Sequence, residues 1–170
     1  MGLHDFEQLI ERHQDMVFRT LARLTGERDG LEDMAQEVFL RLFRALPHFR
    51  GESQISTFLY RIIVNVVNDE FSQRKKARLA RPIDIKEERE LVHGSAGPAI
   101  LAERAQIQEA VETGLRQLSP RDRTILTLHY QEERSYEDIA AILDLPMGTV
   151  KTHLYRARER LRLMMKEWIR

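Results

Sequence analysis

Cysteine is absent from the 170 residues, which excludes disulfides, zinc–thiolate sites and thiol redox sensing within this chain. Net charge is absent too. The 27 Lys and Arg residues balance 27 Asp and Glu, so overall charge announces no nucleic-acid partner. No apolar run approaches the roughly 20 residues of a membrane span, and the amino-terminal stretch lacks a signal-peptide hydrophobic core. The expectation is a cytoplasmic protein with no membrane insertion. His4, His13, His48, His93, His129 and His153 are scattered without a metal-ligand spacing. No Gly-rich phosphate loop occurs, and no convergent nucleophile, base and orienting group. Asp69 and Glu70, beside Asn65 and Asn68, read as helix-surface residues rather than a catalytic dyad. No metal, cofactor or catalytic residue is expected, and the chain does not read as an enzyme.

What is present is an uneven distribution of charge. Residues 5–37 hold nine acidic residues against four arginines, a net of −5. Residues 72–81 carry Arg74, Lys75, Lys76, Arg78 and Arg81 with no acid, and residues 149–170 hold seven Lys or Arg against Glu159 and Glu167, a net of +5. An acidic front with two basic blocks suits one protein partner and two nucleic-acid surfaces.

Helical periodicity covers nearly everything else. Phe6, Leu9, Ile10, His13, Val17, Leu21 and Leu24 describe an amphipathic helix ending near Gly26. A second helix carries Ala35, Val38, Leu42 and Ala45 on one side and stops at Pro47. After a polar loop over 49–54, a third begins at Ser56 and runs into the basic block. Its β-branched cluster, Ile62, Ile63, Val64, Val66 and Val67, suggests a strand in isolation, but the flanking 3.6-residue pattern favours a buried helix. Residues 79–98 lose all periodicity and hold two prolines and two glycines, the composition of a flexible linker. A second helical unit starts near Ala99, with Ile107, Val111, Leu115 and Leu118 on one helix and Ser119-Pro120 opening the next. The fold class is all-α: two small helical domains on a tether, which leaves room for a closed arrangement in which the units mask one another.

Residues 135–161 carry the most information. Ser135 can cap a short helix with Tyr136, Ile139, Ala140 and Leu143 on one face. The pattern breaks over 144–148, where Pro146 suits the opening of a new helix. In that helix Val150, Leu154, Ala157, Leu161 and Trp168 form one apolar stripe, and Lys151, Thr152, Tyr155 and Arg156 project from the opposite side. Arg158, Arg160 and Arg162 read as phosphate contacts or solvated charges rather than base readers. Such a helix-turn-helix can place its second helix in a major groove. A dimeric helix-turn-helix regulator remains an alternative on this evidence, although it requires a dimerisation or effector domain.

Four motifs in order, DMAQEVFLRLF (33–43), FRGESQISTFLYRIIVNVVNDEF (49–71), LSPRDRTIL (118–126) and SYEDIAAILDLPMGTVKTHLYRARERL (135–161), resemble the sigma-70 family of bacterial transcription initiation factors. The chain is most similar to the compact extracytoplasmic-function (ECF) group, which keeps regions 2 and 4 alone. The resemblance implies region 2 over 1–78, a linker over 79–98 and region 4 over 99–170. It implies that Asp33, Gln36 and Glu37 face the β′ clamp of core RNA polymerase, where carboxylate–Arg pairs suit such a contact. It implies capture of the melted −10 element by Ser56, Thr57, Phe58, Tyr60, Arg61 and Asn65, with Arg74, Lys75 and Lys76 on backbone phosphates. Phe58 stands where many members place tryptophan, which keeps an aromatic face. The −35 duplex would be read by Lys151, Thr152, Tyr155 and Arg156, while the outer surface of region 4 meets the β flap. An anti-sigma factor is a further implied partner. Near-zero net charge predicts weak promoter binding until core polymerase joins the protein.

Overall fold

The computed structural model describes residues 3–26, 29–49, 51, 54–80, 111, 113–115 and 117–165. Among these the secondary structure is helical throughout. The amino-terminal unit holds α1 (Leu3–Thr25), α2 (Leu31–Ala45) and α3 (Ile55–Ala80). The carboxy-terminal unit holds helical residues at 111, 113–115 and 117, then α4 (Pro120–Leu126), a π-helical turn (Thr127–Gln131), α5 (Tyr136–Leu143) and α6 (Met147–Met164).

Local chemistry sets the boundaries. Gly26 closes α1 at φ 70, with its N–H donating to the Ala22 carbonyl at 2.9 Å. This left-handed geometry is easiest for glycine. Glu32 and Asp33 occupy the first turn of α2, where carboxylates complement the helix dipole. Pro47 ends regular α-helix by lacking an N–H, and the chain leaves through a 3₁₀ turn, Leu46–His48. α3 begins at Ile55, one residue before the expected start, and runs to Ala80, two residues past the boundary read at 78. Pro82 is the first helix breaker in that direction. The expected linker beyond Ala80, the helix start near Ala99, Ile107 and Trp168 lie outside the described residues.

Val17, Leu21 and Leu24 of α1 meet Met34, Ala35, Val38 and Leu42 of α2 over Leu59, Ile63 and Val67 of α3, all buried. Tyr60, Ile62, Val64 and Val66 are buried as well, so α3 is covered on most of its circumference. That is why a β-branched run persists as helix: packing on several sides overrides a modest propensity difference. One stripe stays open, with Arg61, Asn65, Asn68 and Ser72 spaced by four, three and four residues.

In the carboxy-terminal unit, Ser119 Oγ accepts the Asp122 N–H at 3.1 Å and caps α4 ahead of Pro120. Ser135 and Asp138 form a reciprocal capping box at α5. Ile139 and Ile142 are its innermost residues, while Tyr136, Ala140 and Leu143 are only partly buried. Asp144 ends α5 in the left-handed region at φ 52, and Pro146 caps α6, whose Val150, Leu154 and Ala157 close the core with Leu118, Ile125, Leu126 and Leu128. The two helices and their short turn make the expected helix-turn-helix.

The two units touch. α5 lies along α3, and the connector before it meets α1. Burying such a surface positions the sites described next.

Candidate nucleic-acid interface

α6 presents Lys151, Thr152, Tyr155 and Arg156 as a contiguous exposed patch, because i, i+4 pairs stack on one face of a helix. Tyr155 is 60% exposed, and its phenol has no place in the core. Thr152 Oγ1 donates to the Gly148 carbonyl at 2.8 Å, and the Lys151 ammonium lies 5.9 Å from the Tyr136 ring centroid. The remaining cations of this helix turn to partners within the chain. Arg162 pairs with Glu159 at 3.0 Å, Arg160 approaches Asp122 at 3.7 Å, and a hydrogen bond with the Tyr130 hydroxyl raises the Arg158 pKa above its ordinary value. Among the described residues Lys151 and Arg156 of the outward quartet carry no ion pair, whereas Arg160 and Arg162, at 59% and 56% exposed, each do. The quartet's apolar opposites Val150, Leu154 and Ala157 are buried, and Leu161 is partly so.

The second surface follows the open stripe of α3. Asn65, Lys75 and Lys76 are exposed along it; Arg74 Nε donates to Glu70 Oε1 at 2.7 Å. Asn68 and Ser72, outside the expected contact set, complete the polar line between Asn65 and the basic block. Their i, i+3/i+4 spacing from Arg61 is the signal that finds them. At the amino-terminal end of α3, Ser56 Oγ is 3.5 Å from Gln54 Oε1, Thr57 is buried, and half-buried Phe58 packs on Phe49 with ring centroids 5.0 Å apart. Phe58 thus keeps an edge toward solvent.

Tyr60 stands differently. It is 3% exposed, and its hydroxyl donates to Glu132 Oε2 at 2.9 Å. Burial, reinforced by the Glu132 charge and the hydrogen bond to it, pushes the phenol up to about 12. Arg61 is exposed, yet its Nη2 donates to the Ala141 carbonyl at 2.6 Å. In this arrangement two of the nine residues of the expected −10 set, Tyr60 and Arg61, are engaged by the carboxy-terminal unit.

A third surface lies on α2. Asp33 and Gln36 are exposed, and Glu37 is half-buried with its Oε1 2.7 Å from Arg41 Nε. Arg41 Nη1 also reaches Asp69 Oδ2 at 2.7 Å, bracing α2 on α3; hydrogen bonds to Glu37 and Asp69 raise the Arg41 pKa. On the same stripe stand Leu40 and Phe43, 49% and 53% exposed, with Phe43 edge-on to Phe6 at 5.0 Å. Neither belongs to the set expected at the β′ clamp. Their spacing from Gln36, four and then three residues on the side away from Val38 and Leu42, marks an apolar centre within a polar rim.

Among the described residues no three His, Asp or Glu side chains gather as metal ligands, and no helix is long and apolar enough to cross a membrane.

Comparison with known proteins agrees with this geometry. Residues 9–77 match the family description Sigma-70 region 2, and residues 108–161 match Sigma-70, region 4. The RNA polymerase sigma-H factor of Pseudomonas aeruginosa is 34% identical over 163 residues, covering 91% of this chain and 82% of that protein. The ECF RNA polymerase sigma-E factor of Escherichia coli is 33% identical over 159 residues, covering 91% and 83%. Among solved structures, the sigma factor RpoE from Bartonella quintana, crystallised with the anti-sigma factor NepR, shares the fold at TM-score 0.75 and 22% identity, covering 96% of this chain and 98% of that one. With both regions matched in order across surfaces of the corresponding character, the chain belongs to the sigma-70 family of RNA polymerase sigma factors, in its extracytoplasmic-function group.

Proposed function

We propose that this chain binds bacterial core RNA polymerase and directs promoter-specific initiation, reading the −35 element as duplex and the −10 element as separated strands. The observation that carries the assignment of contacts is the outward quartet Lys151, Thr152, Tyr155 and Arg156 on a helix whose other cations are paired within the chain. It is an initiation factor, acting by binding in the cytoplasm; RNA synthesis belongs to the polymerase. The region 2 unit (1–78) and region 4 unit (99–170) flank a linker (79–98) that lets each unit reach its own element.

The patch centred on Leu40 and Phe43, rimmed by Asp33, Gln36 and Glu37, docks on the β′ clamp, with carboxylates meeting arginines of the partner. The outer surface of the carboxy-terminal unit meets the β flap. On α3, Arg61, Asn65, Arg74, Lys75 and Lys76 track the backbone of the melted segment, and Phe58 with Tyr60 offers aromatic faces, each stacked base contributing about 1–3 kcal/mol. Ser56 and Thr57 supply hydrogen bonds beside them. Strand opening follows because the unpaired −10 bases bind better than the duplex. Held apart at a fixed spacing by the polymerase, each weak DNA contact raises the effective concentration of the other. An anti-sigma factor is the expected regulator, in keeping with the complex of RpoE and NepR.

Band-shift titration tests this reading. The free protein should shift promoter-bearing DNA weakly, and addition of sigma-free core polymerase should produce a tight, sequence-specific complex. Tight specific binding without polymerase would instead indicate a stand-alone dimeric regulator, a reading the two-region match does not favour.

A further inference from the structure

We infer that residues 131–141 of this chain are the resident occupant of the α1–α3 face in the free protein, latched there by the Glu132 carboxylate, and that −10 capture begins with release of this latch. The Glu132 side chain is 1% exposed. Its hydrogen bonds and ion pairs among the described residues all come from the amino-terminal unit: Arg23 Nη1 at 2.7 Å, Tyr60 Oη at 2.9 Å and Arg19 Nη2 at 3.6 Å. A buried carboxylate is tolerated only when paired, so this side chain has its partners only while the units are together.

The backbone is shaped to deliver it. The π turn Thr127–Gln131 adds a residue to the helix, the Glu132 N–H closes on the Thr127 carbonyl at 3.0 Å, and Glu133 turns back at φ 53. Four further contacts run across the same seam. Arg23 Nη1 also donates to the Gln131 carbonyl at 2.6 Å, and Arg61 donates to the Ala141 carbonyl. The Arg134 guanidinium lies 5.3 Å from the Tyr60 ring centroid, and that of Arg123 lies 5.9 Å from that of Phe71.

The seam uses Tyr60 and Arg61, which the open complex needs on DNA. A phenol bonded to Glu132 and a guanidinium bonded to Ala141 cannot meanwhile meet a separated strand, so closure and −10 capture exclude one another at these two side chains. DNA phosphates compete for the arginines that hold the latch. This consequence rests on the sigma-factor reading; closure itself does not.

The cysteine-free sequence makes the test direct. Glu32→Cys on α2 and Glu137→Cys on α5, carrying a donor and an acceptor dye, report the separation of the units in the full chain without polymerase. The parent should show one high-transfer population at low salt. Glu132→Gln and, separately, Arg23→Ala should each raise the open-to-closed ratio about tenfold or more with helical content unchanged, and the double variant should fall short of the sum of the two. Arg23→Ala carries the test if Glu132→Gln does not fold. Unchanged transfer in both, or a low-transfer parent, would overturn the latch. Stopped-flow mixing with core polymerase then reads the gating. Faster complex formation by the opened variants supports it, and equal rates overturn it. Failure of every form to bind core would count against the sigma-factor reading instead.

Discussion

His153 Nδ1 lies 2.7 Å from Asp122 Oδ1, and this contact ties the recognition helix α6 to α4 beneath it. Asp122 is buried, its other oxygen faces Arg160 at 3.7 Å, and its own N–H is held by the Ser119 cap. One carboxylate thus sets how α6 sits on its support. Asp122→Ala should cost about 1–3 kcal/mol, the range for stranding a buried polar partner, read as a lower urea midpoint. Arg160→Ala, removing a guanidinium that is largely in solvent, should cost less than about 1 kcal/mol.

Lys151, Tyr155 and Arg156 touch DNA in this account and little within the protein. Alanine at any of the three should change stability by no more than about 0.5 kcal/mol. At a base-contacting position, promoter binding by the polymerase complex should weaken by about 1–3 kcal/mol with relaxed preference at one −35 position. At a phosphate-contacting position, binding should weaken evenly across sequences and the salt slope should fall by about one. Titration of variant holoenzymes on a set of single-base promoter variants separates the two.

Leu40→Ala and Phe43→Ala should lower affinity for core polymerase while leaving thermal stability close to that of the parent, since both side chains are about half in solvent. Charge reversal at Asp33 should weaken the same complex and flatten its loss with salt, because an attraction that salt screens is replaced by a repulsion that salt relieves. Competition against a labelled sigma factor for core polymerase measures both.

His13 predicts an acid-side loss of stability. Its Nε2 is buried without a hydrogen-bond partner among the described residues, and burial, aided by the Arg12 charge, lowers its pKa below 6.5. The unfolded chain takes up this proton at higher pH than the folded one. The contribution is therefore complete above about pH 6.5 and is lost as pH falls through the lower folded value. Melting temperature should drop between pH 7.5 and 5.5, and His13→Gln should drop less over that interval.

Most of the helical framework was legible because Val17, Leu21, Leu24, Val38 and Leu42 repeat at helical spacing and Pro47, Ser119 and Ser135 punctuate it. The outward quartet of α6 followed from the same geometry. Side chains whose role depends on the other unit were not legible. Tyr60 reads as an aromatic platform in sequence, and only the packing of α5 against α3 reveals its hydroxyl on Glu132. Glu132 itself looks like one acid within QEERS; a π turn, which has no simple sequence signature, decides where it points. Ile142 was passed over because helical periodicity locates a face to within a residue or so, and tertiary contact selects its centre.

Run-off transcription tests the central claim most directly. Sigma-free bacterial core polymerase and this protein are combined on fragmented genomic DNA, and transcript starts are mapped. The account predicts discrete new transcripts whose upstream regions share −35 and −10 sequences, and their loss with the double variant Lys151→Ala and Arg156→Ala. Absence of transcripts together with absence of any complex with core polymerase would contradict it.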